Sequence, residues 1–191
     1  MNKRGFTLIE LLAVIVILGI LLGIAIPKVS QYINKTRKDS YVSAAKLFID
    51  AVRDDATAEM YPLPVGNNEA TIVTLDKIKA EKSNEKSPFG GKYLYNKSYV
   101  VIVNVGDGTN PEYKYYFAAQ DSKDYAIPLT EEALLTSDIV VAKAKNKMEV
   151  TIQSLCGTPE GTTSSYGTIS GLGSGFTATV FSTDKCGKNN D

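Results

Sequence analysis

The chain has no histidine and only two cysteines in 191 residues. Without histidine, a Ser-His-Asp or Cys-His hydrolase is excluded, and so is any histidine-ligated zinc site. Two cysteines are too few for an all-thiolate metal site. No phosphate-cradling glycine loop is present. Gly171-Leu172-Gly173-Ser174-Gly175 has the glycines but lacks both the Lys-Ser/Thr ending and the GxGxxG spacing, and reads as a flexible loop. Positive charge is not in excess either: Lys+Arg and Asp+Glu stand at 21 each. Without Lys3 and Arg4 the basic count falls from 21 to 19 and the balance becomes −2. Phosphate-backbone binding needs a clustered positive surface, so no specific nucleic-acid partner is indicated. No motif calls for a cofactor or a metal. Asp121 and Asp124 lie in a polar turn, but an EF-hand spacing and an acid-rich loop are both missing.

Charge is also nearly absent from one long stretch. Met1–Gly5 carries Lys3 and Arg4; Phe6–Ile26 then runs apolar, and Pro27 follows. As a helix this run spans about 30 Å, the thickness of a bilayer core. Lys3 and Arg4 place the N-terminus in the cytoplasm and the rest of the chain outside. One carboxylate, Glu10, interrupts the apolar run. An unpaired acid near the middle of a span costs about 2.5–3.5 kcal/mol, which marks it as functional and demands a partner. Gly19, Gly23 and Ala25 are small, but the run continues past them, so a secretory cut after the apolar segment is not expected. The small residue beside the charged leader is Gly5. A cut there leaves the apolar segment in place and creates an amine on Phe6, four residues from Glu10. That amine and the carboxylate can satisfy each other between neighbouring chains.

Gly5-Phe6-Thr7-Leu8-Ile9-Glu10-Leu11-Leu12, with the apolar run and Pro27 behind it, resembles the prepilin signature of type IV pilins, in its type IVa-like form. The likeness covers roughly the first 30 residues. It implies cleavage between Gly5 and Phe6 by a membrane prepilin peptidase and methylation of the Phe6 amine. It also implies pairing of Glu10 with the Phe6 amine of an adjacent subunit in a filament. In related filaments the stretch matching Gly19–Pro27 loses helicity on assembly. A plain signal anchor explains the apolar length and the basic flank, but neither Glu10 nor the Gly–Phe junction.

Past Pro27 the helical pattern turns one-sided. Tyr41, Ala45, Phe48, Val52 and Ala56 form an apolar stripe at spacings of four and three, and Pro62 and Pro64 stop it. The expected helix runs from about Phe6 to Met60, about 80 Å long. Proline inside it favours a kink at Pro27, and Gly19-x-x-x-Gly23 permits close helix approach. Residues 61–98 are mixed, with a short helix expected over Thr74–Lys82. Tyr99–Val105 is a strand, paired through a turn at Gly106–Glu112 with Tyr113–Ala118, where Tyr113, Tyr115 and Phe117 share one half-buried face. A short helix is expected over Leu129–Ser137 with Thr130 as N-cap. Strands are expected at Met148–Leu155 and Phe176–Ser182, with loop over Gly157–Gly175.

Cys156 and Cys186 bracket that last stretch. Two cysteines in an exported domain suggest one disulfide, and many type IV pilins carry a C-terminal disulfide-bounded region. The ring of about 31 residues is worth about 3.5–4 kcal/mol in the chain-entropy model. If Met148–Leu155 and Phe176–Ser182 were antiparallel neighbours, their C-terminal ends would lie about 25 Å apart, too far for a bridge. Either these strands are not antiparallel neighbours or the thiols are free.

The expected fold class is α+β: a long N-terminal helix whose second half packs on an antiparallel-dominated sheet. The expected divisions are a removed leader (1–5), a membrane or filament-core helix (6–27), an amphipathic helix (28–60) and a β-rich head (61–191). The expected role is that of a non-enzymatic subunit of a type IV pilus. Its partners are other copies, the peptidase, the assembly machinery and the membrane; its location is the cytoplasmic membrane and then the cell surface. The alternatives are a type II secretion or competence pseudopilin, and a signal-anchored surface binding module or enzyme.

Overall fold

The computed structural model describes residues 6–66, 69–78, 86–106, 109–142, 162–168 and 174–181. The chain divides into two compact units, Met1–Arg37 and Lys38–Asp191, with the boundary inside helix α1 (Leu8–Thr57). Six strands follow: β1 (Glu69–Thr74), β2 (Tyr99–Asn104), β3 (Tyr113–Gln120), β4 (Ala126–Glu131), β5 (Thr162–Thr168) and β6 (Ser174–Phe181). They form one sheet in the order β4-β3-β2-β1-β6-β5. β1 and β6 pair parallel; the other neighbours are antiparallel. The fold is α+β.

In the C-terminal unit, α1 buries Tyr41, Val42, Ala45, Ile49, Val52 and Ala56. This is the expected stripe widened by Val42 and Ile49, with Phe48 half-buried at its edge. The stripe packs on one sheet face. A row across that face is fixed by register: Phe117 opposite Val100, Val100 opposite Val73, and Val73 opposite Phe181. Phe48 stacks on Phe117 with ring centroids 6.0 Å apart. The opposite face holds a second apolar cluster of Ala70, Ile72, Tyr99, Val101, Val103, Ala118, Ala178 and Val180. All six residues of β2 are therefore buried, which accounts for its near-continuous apolar run. The β2–β3 hairpin forms as expected. At its base Asn104 Oδ1 accepts from the Gly106 N–H at 3.0 Å and the Glu112 N–H at 3.3 Å. Gly106 is required there, because a Cβ would lie 2.2 Å from the Asn110 carbonyl oxygen.

Several local expectations are overturned. α1 ends at Thr57, not Met60, and ends on its own capping rather than on the prolines. Glu59 takes φ 58°, the Glu59 N–H donates to the Ala56 carbonyl at 3.1 Å, and the Met60 N–H donates to the Asp55 carbonyl at 2.9 Å. These are the two bonds of a Schellman cap. Thr74 is not a helix start: β1 runs through it opposite Tyr99, and one turn follows before Ile78, while residues 79–82 of the expected helix lie outside the described residues. The Leu75 N–H extends the pairing to the Ser98 carbonyl at 3.0 Å, which outcompetes a local helix. The Leu129–Ser137 helix does not form. Leu129, Thr130 and Glu131 belong to β4, and only single 3₁₀ turns follow at Glu132–Leu134 and Ser137–Ile139. Thr130 Oγ1 donates to the Pro128 carbonyl at 2.7 Å instead of capping. Within the expected Gly157–Gly175 loop, β5 pairs antiparallel with β6. Its Thr- and Ser-rich backbone is held by the ladder rather than by an apolar pattern. Met148–Leu155 lies outside the described residues.

Candidate functional site at the start of the long helix

Thr7 and Glu10 define where α1 begins. The Thr7 N–H donates to Glu10 Oε2 at 2.8 Å, and Thr7 Oγ1 donates to the same oxygen at 2.7 Å. In return the Glu10 N–H donates to Thr7 Oγ1 at 3.4 Å. This reciprocal pair is a capping box, Thr as N-cap and Glu three residues on. It satisfies orphan donors of the first turn and sets the carboxylate on the positive end of the helix dipole. The capping role of Thr7 has a signal in the sequence, the Thr-x-x-Glu spacing before an apolar run. Phe6, immediately upstream, is 82% exposed. Gly5 lies outside the described residues.

The apolar surface behind this cap is not covered. Every large apolar side chain from Leu8 to Ile33 is exposed. By length and composition α1 is able to cross a membrane. Gly19 and Gly23 have open space where a Cβ would sit, so nothing inside this unit requires glycine at either position. Each costs about 1 kcal/mol of helix propensity relative to alanine. The helix continues through Pro27, which cannot donate to the carbonyl of Gly23, four residues earlier. Gly19, Gly23 and Pro27 thus fall one turn apart on one face and weaken the same stretch of backbone.

The other candidates sit elsewhere. Asp121 is fully buried in the β3–β4 turn. Its Oδ1 accepts from the Lys123 and Tyr125 N–H groups, each at 2.9 Å, and its Oδ2 accepts from Ser87 Oγ. Its oxygens are committed to the protein's own donors, and it ties the Ser87–Gly91 turn to the sheet. Among the described residues no group of three or more His, Cys, Asp or Glu side chains is placed to hold a metal. Cys156 and Cys186 lie outside the described residues. The hairpin that made their bridge hard to close is not formed by β6, whose two neighbours are β1 and β5.

Residues 1–26 match the model of the prokaryotic N-terminal methylation motif. The type IV major alpha-pilin of Moraxella bovis is 48% identical over 52 residues, covering 26% of this chain and 33% of the relative. Fimbrial protein Q of the same organism matches to the same extent. The type IV major fimbrial protein FimA of Dichelobacter nodosus is 33% identical over 135 residues, 56% of this chain and 84% of the relative. The chain belongs to the type IV pilin family. It spans about a third of the length of the two Moraxella relatives. No solved structure gives a significant match. In this pilin the methylation-motif match takes in Gly5, Phe6, Thr7, Glu10, Gly19 and Gly23, and stops one residue short of Pro27.

Proposed function

We propose that this pilin is made as a membrane-anchored precursor with its N-terminus in the cytoplasm. A prepilin peptidase removes residues 1–5, the Phe6 amine is methylated, and the assembly machinery builds the subunit into a surface filament. The observation that carries the reading is an apolar helix surface, exposed all round, with a single carboxylate fixed at its first turn. Such a surface is unfavourable in water and finds its complement in a bilayer or against other copies. The relatives' names, major pilins and fimbrial proteins, favour a pilus subunit over a secretion or competence pseudopilin.

Among the described residues, both hydrogen bonds to the Glu10 carboxylate end on Oε2, so Oε1 is placed to take a second donor. The methylated Phe6 amine of a neighbouring copy supplies the charge that a buried carboxylate needs, and pairing sets the axial register. The Gly19–Pro27 stretch, short of one helical bond, is where the helix yields during assembly. In the head, a Cys156–Cys186 bridge closes the segment that contains β5 and β6.

The capping box and the intermolecular pair are separable. Glutamine at position 10 keeps a capping box but loses the charge. Glu10→Gln and Glu10→Ala should both be cut after Gly5, and both should fall at least about tenfold in sheared filaments, the cost of leaving a buried amine unpaired. Thr7→Ala, which removes only the cap, should cost much less. Wild-type filament levels for Glu10→Gln, in cells lacking the normal copy, would reduce Glu10 to a cap.

A further inference from the structure

Between Glu10 and Asp39 there is no acidic residue, yet α1 carries four cations there: Lys28, Lys35, Arg37 and Lys38, the last half-buried beside Asp39. Lys28, Lys35 and Arg37 are exposed, and among the described residues these three form no ion pair. Tyr32, between them, is 73% exposed. Lys28, Tyr32 and Lys35 are spaced by four and three and share one helix face, with Arg37 on the other side. Axial distances place this group. At about 1.5 Å per residue, Leu8 to Lys28 spans about 30 Å, one hydrocarbon core. Tyr32 then falls about 36 Å from Leu8, inside the headgroup layer, where tyrosine is favoured. Lys35 and Arg37 fall at about 40–44 Å, within about a Debye length of the lipid phosphates.

Insertion does not explain these cations. On the exported flank of a span, Lys and Arg oppose the positive-inside bias, so the residues need an attraction on that side. Anionic headgroups supply one, worth about fivefold per cation close to the surface. We propose that Lys28, Tyr32, Lys35 and Arg37 form a collar that binds anionic lipid headgroups of the exported leaflet. The collar holds the membrane-resident subunit at a fixed depth until it is extracted into a filament. This rests on the membrane-anchored reading of α1.

The chain contains no tryptophan, so full-length Tyr32→Trp carries a single fluorescent reporter that keeps an interfacial aromatic. It is reconstituted in phosphatidylcholine vesicles containing a small equal fraction of either phosphatidylglycerol or phosphatidylcholine spin-labelled near the headgroup. The expected result is about three- to fivefold stronger quenching by the anionic label. The preference should vanish on adding Lys28→Gln, Lys35→Gln and Arg37→Gln, while quenching by labelled phosphatidylcholine stays unchanged. Equal quenching by the two labels would overturn the collar and leave the anchor standing. Equal quenching together with loss of the triple variant from sheared filaments would assign the cations to a second copy of the chain. Quenching by neither label would overturn the anchor itself, and the collar with it.

Discussion

Glu69 is exposed at the start of β1, yet its carboxylate has a defined task. Its Oε2 accepts from the Val65 and Gly66 N–H groups, each at 3.0 Å, and so closes the turn that leads into the sheet. These two donors, Gly66 first, hold its pKa below the ordinary carboxylate range. A depressed folded-state pKa means that stability is present above the unfolded value and is lost as pH falls through the folded one. Titrating the urea midpoint from neutral to acid pH should therefore show a steeper loss for the wild type than for Glu69→Gln. Identical acid limbs would contradict it. Other residue roles differed in how openly the sequence carried them. Glu10 is legible because charge is so rare around it. Thr7 is not, because a threonine at the edge of an apolar run attracts no attention until its bonds to Glu10 are seen. Asp121 reads as a surface turn acid, because its burial depends on Ser87, distant in sequence, and on the Lys123 and Tyr125 backbone donors that the fold brings to it.

At the scale of elements, α1 and β2 were readable because each has a long, unmixed period. The sixteen residues from Tyr41 to Ala56 carry a helical stripe, and β2 is a β-branched run buried on both faces. β1, β4 and β5 were missed for a common reason. Their positions are fixed by partners distant in sequence: Ile72 by Val101 and Val180, Thr130 by Phe117, and β5 by the whole of β6. Local composition argued for helix or loop in each place, and cross-strand pairing overrode it. The end of α1 yields a direct test. Glu59 occupies the left-handed position of its Schellman cap, a conformation that costs a residue with a side chain about 1 kcal/mol relative to glycine. Glu59→Gly should raise the stability of the head by about 0.5–1 kcal/mol, read as a higher urea midpoint at unchanged slope. A lower midpoint would mean that the Glu59 side chain makes a compensating contact.

For the whole molecule, the two units have opposite relations to water. Residues 38–181 bury apolar clusters on both faces of one sheet, whereas the apolar side chains of Leu8–Ile33 are exposed and have no cover within their own unit. A chain of this kind is incomplete as a free monomer. In the proposed cycle, membrane insertion and then polymerisation supply the missing cover, and cleavage between the two stages releases the amine that pairs with Glu10. That proposal fixes the order as insertion, cleavage, assembly, since a free Phe6 amine does not exist before the cut. The intact mass of the subunit in sheared filaments tests this most directly. The predicted mass is that of Phe6–Asp191 carrying one N-methyl group. A mass that retains Met1–Gly5, or one that begins at Pro27 after a cut behind Ile26, would contradict the account.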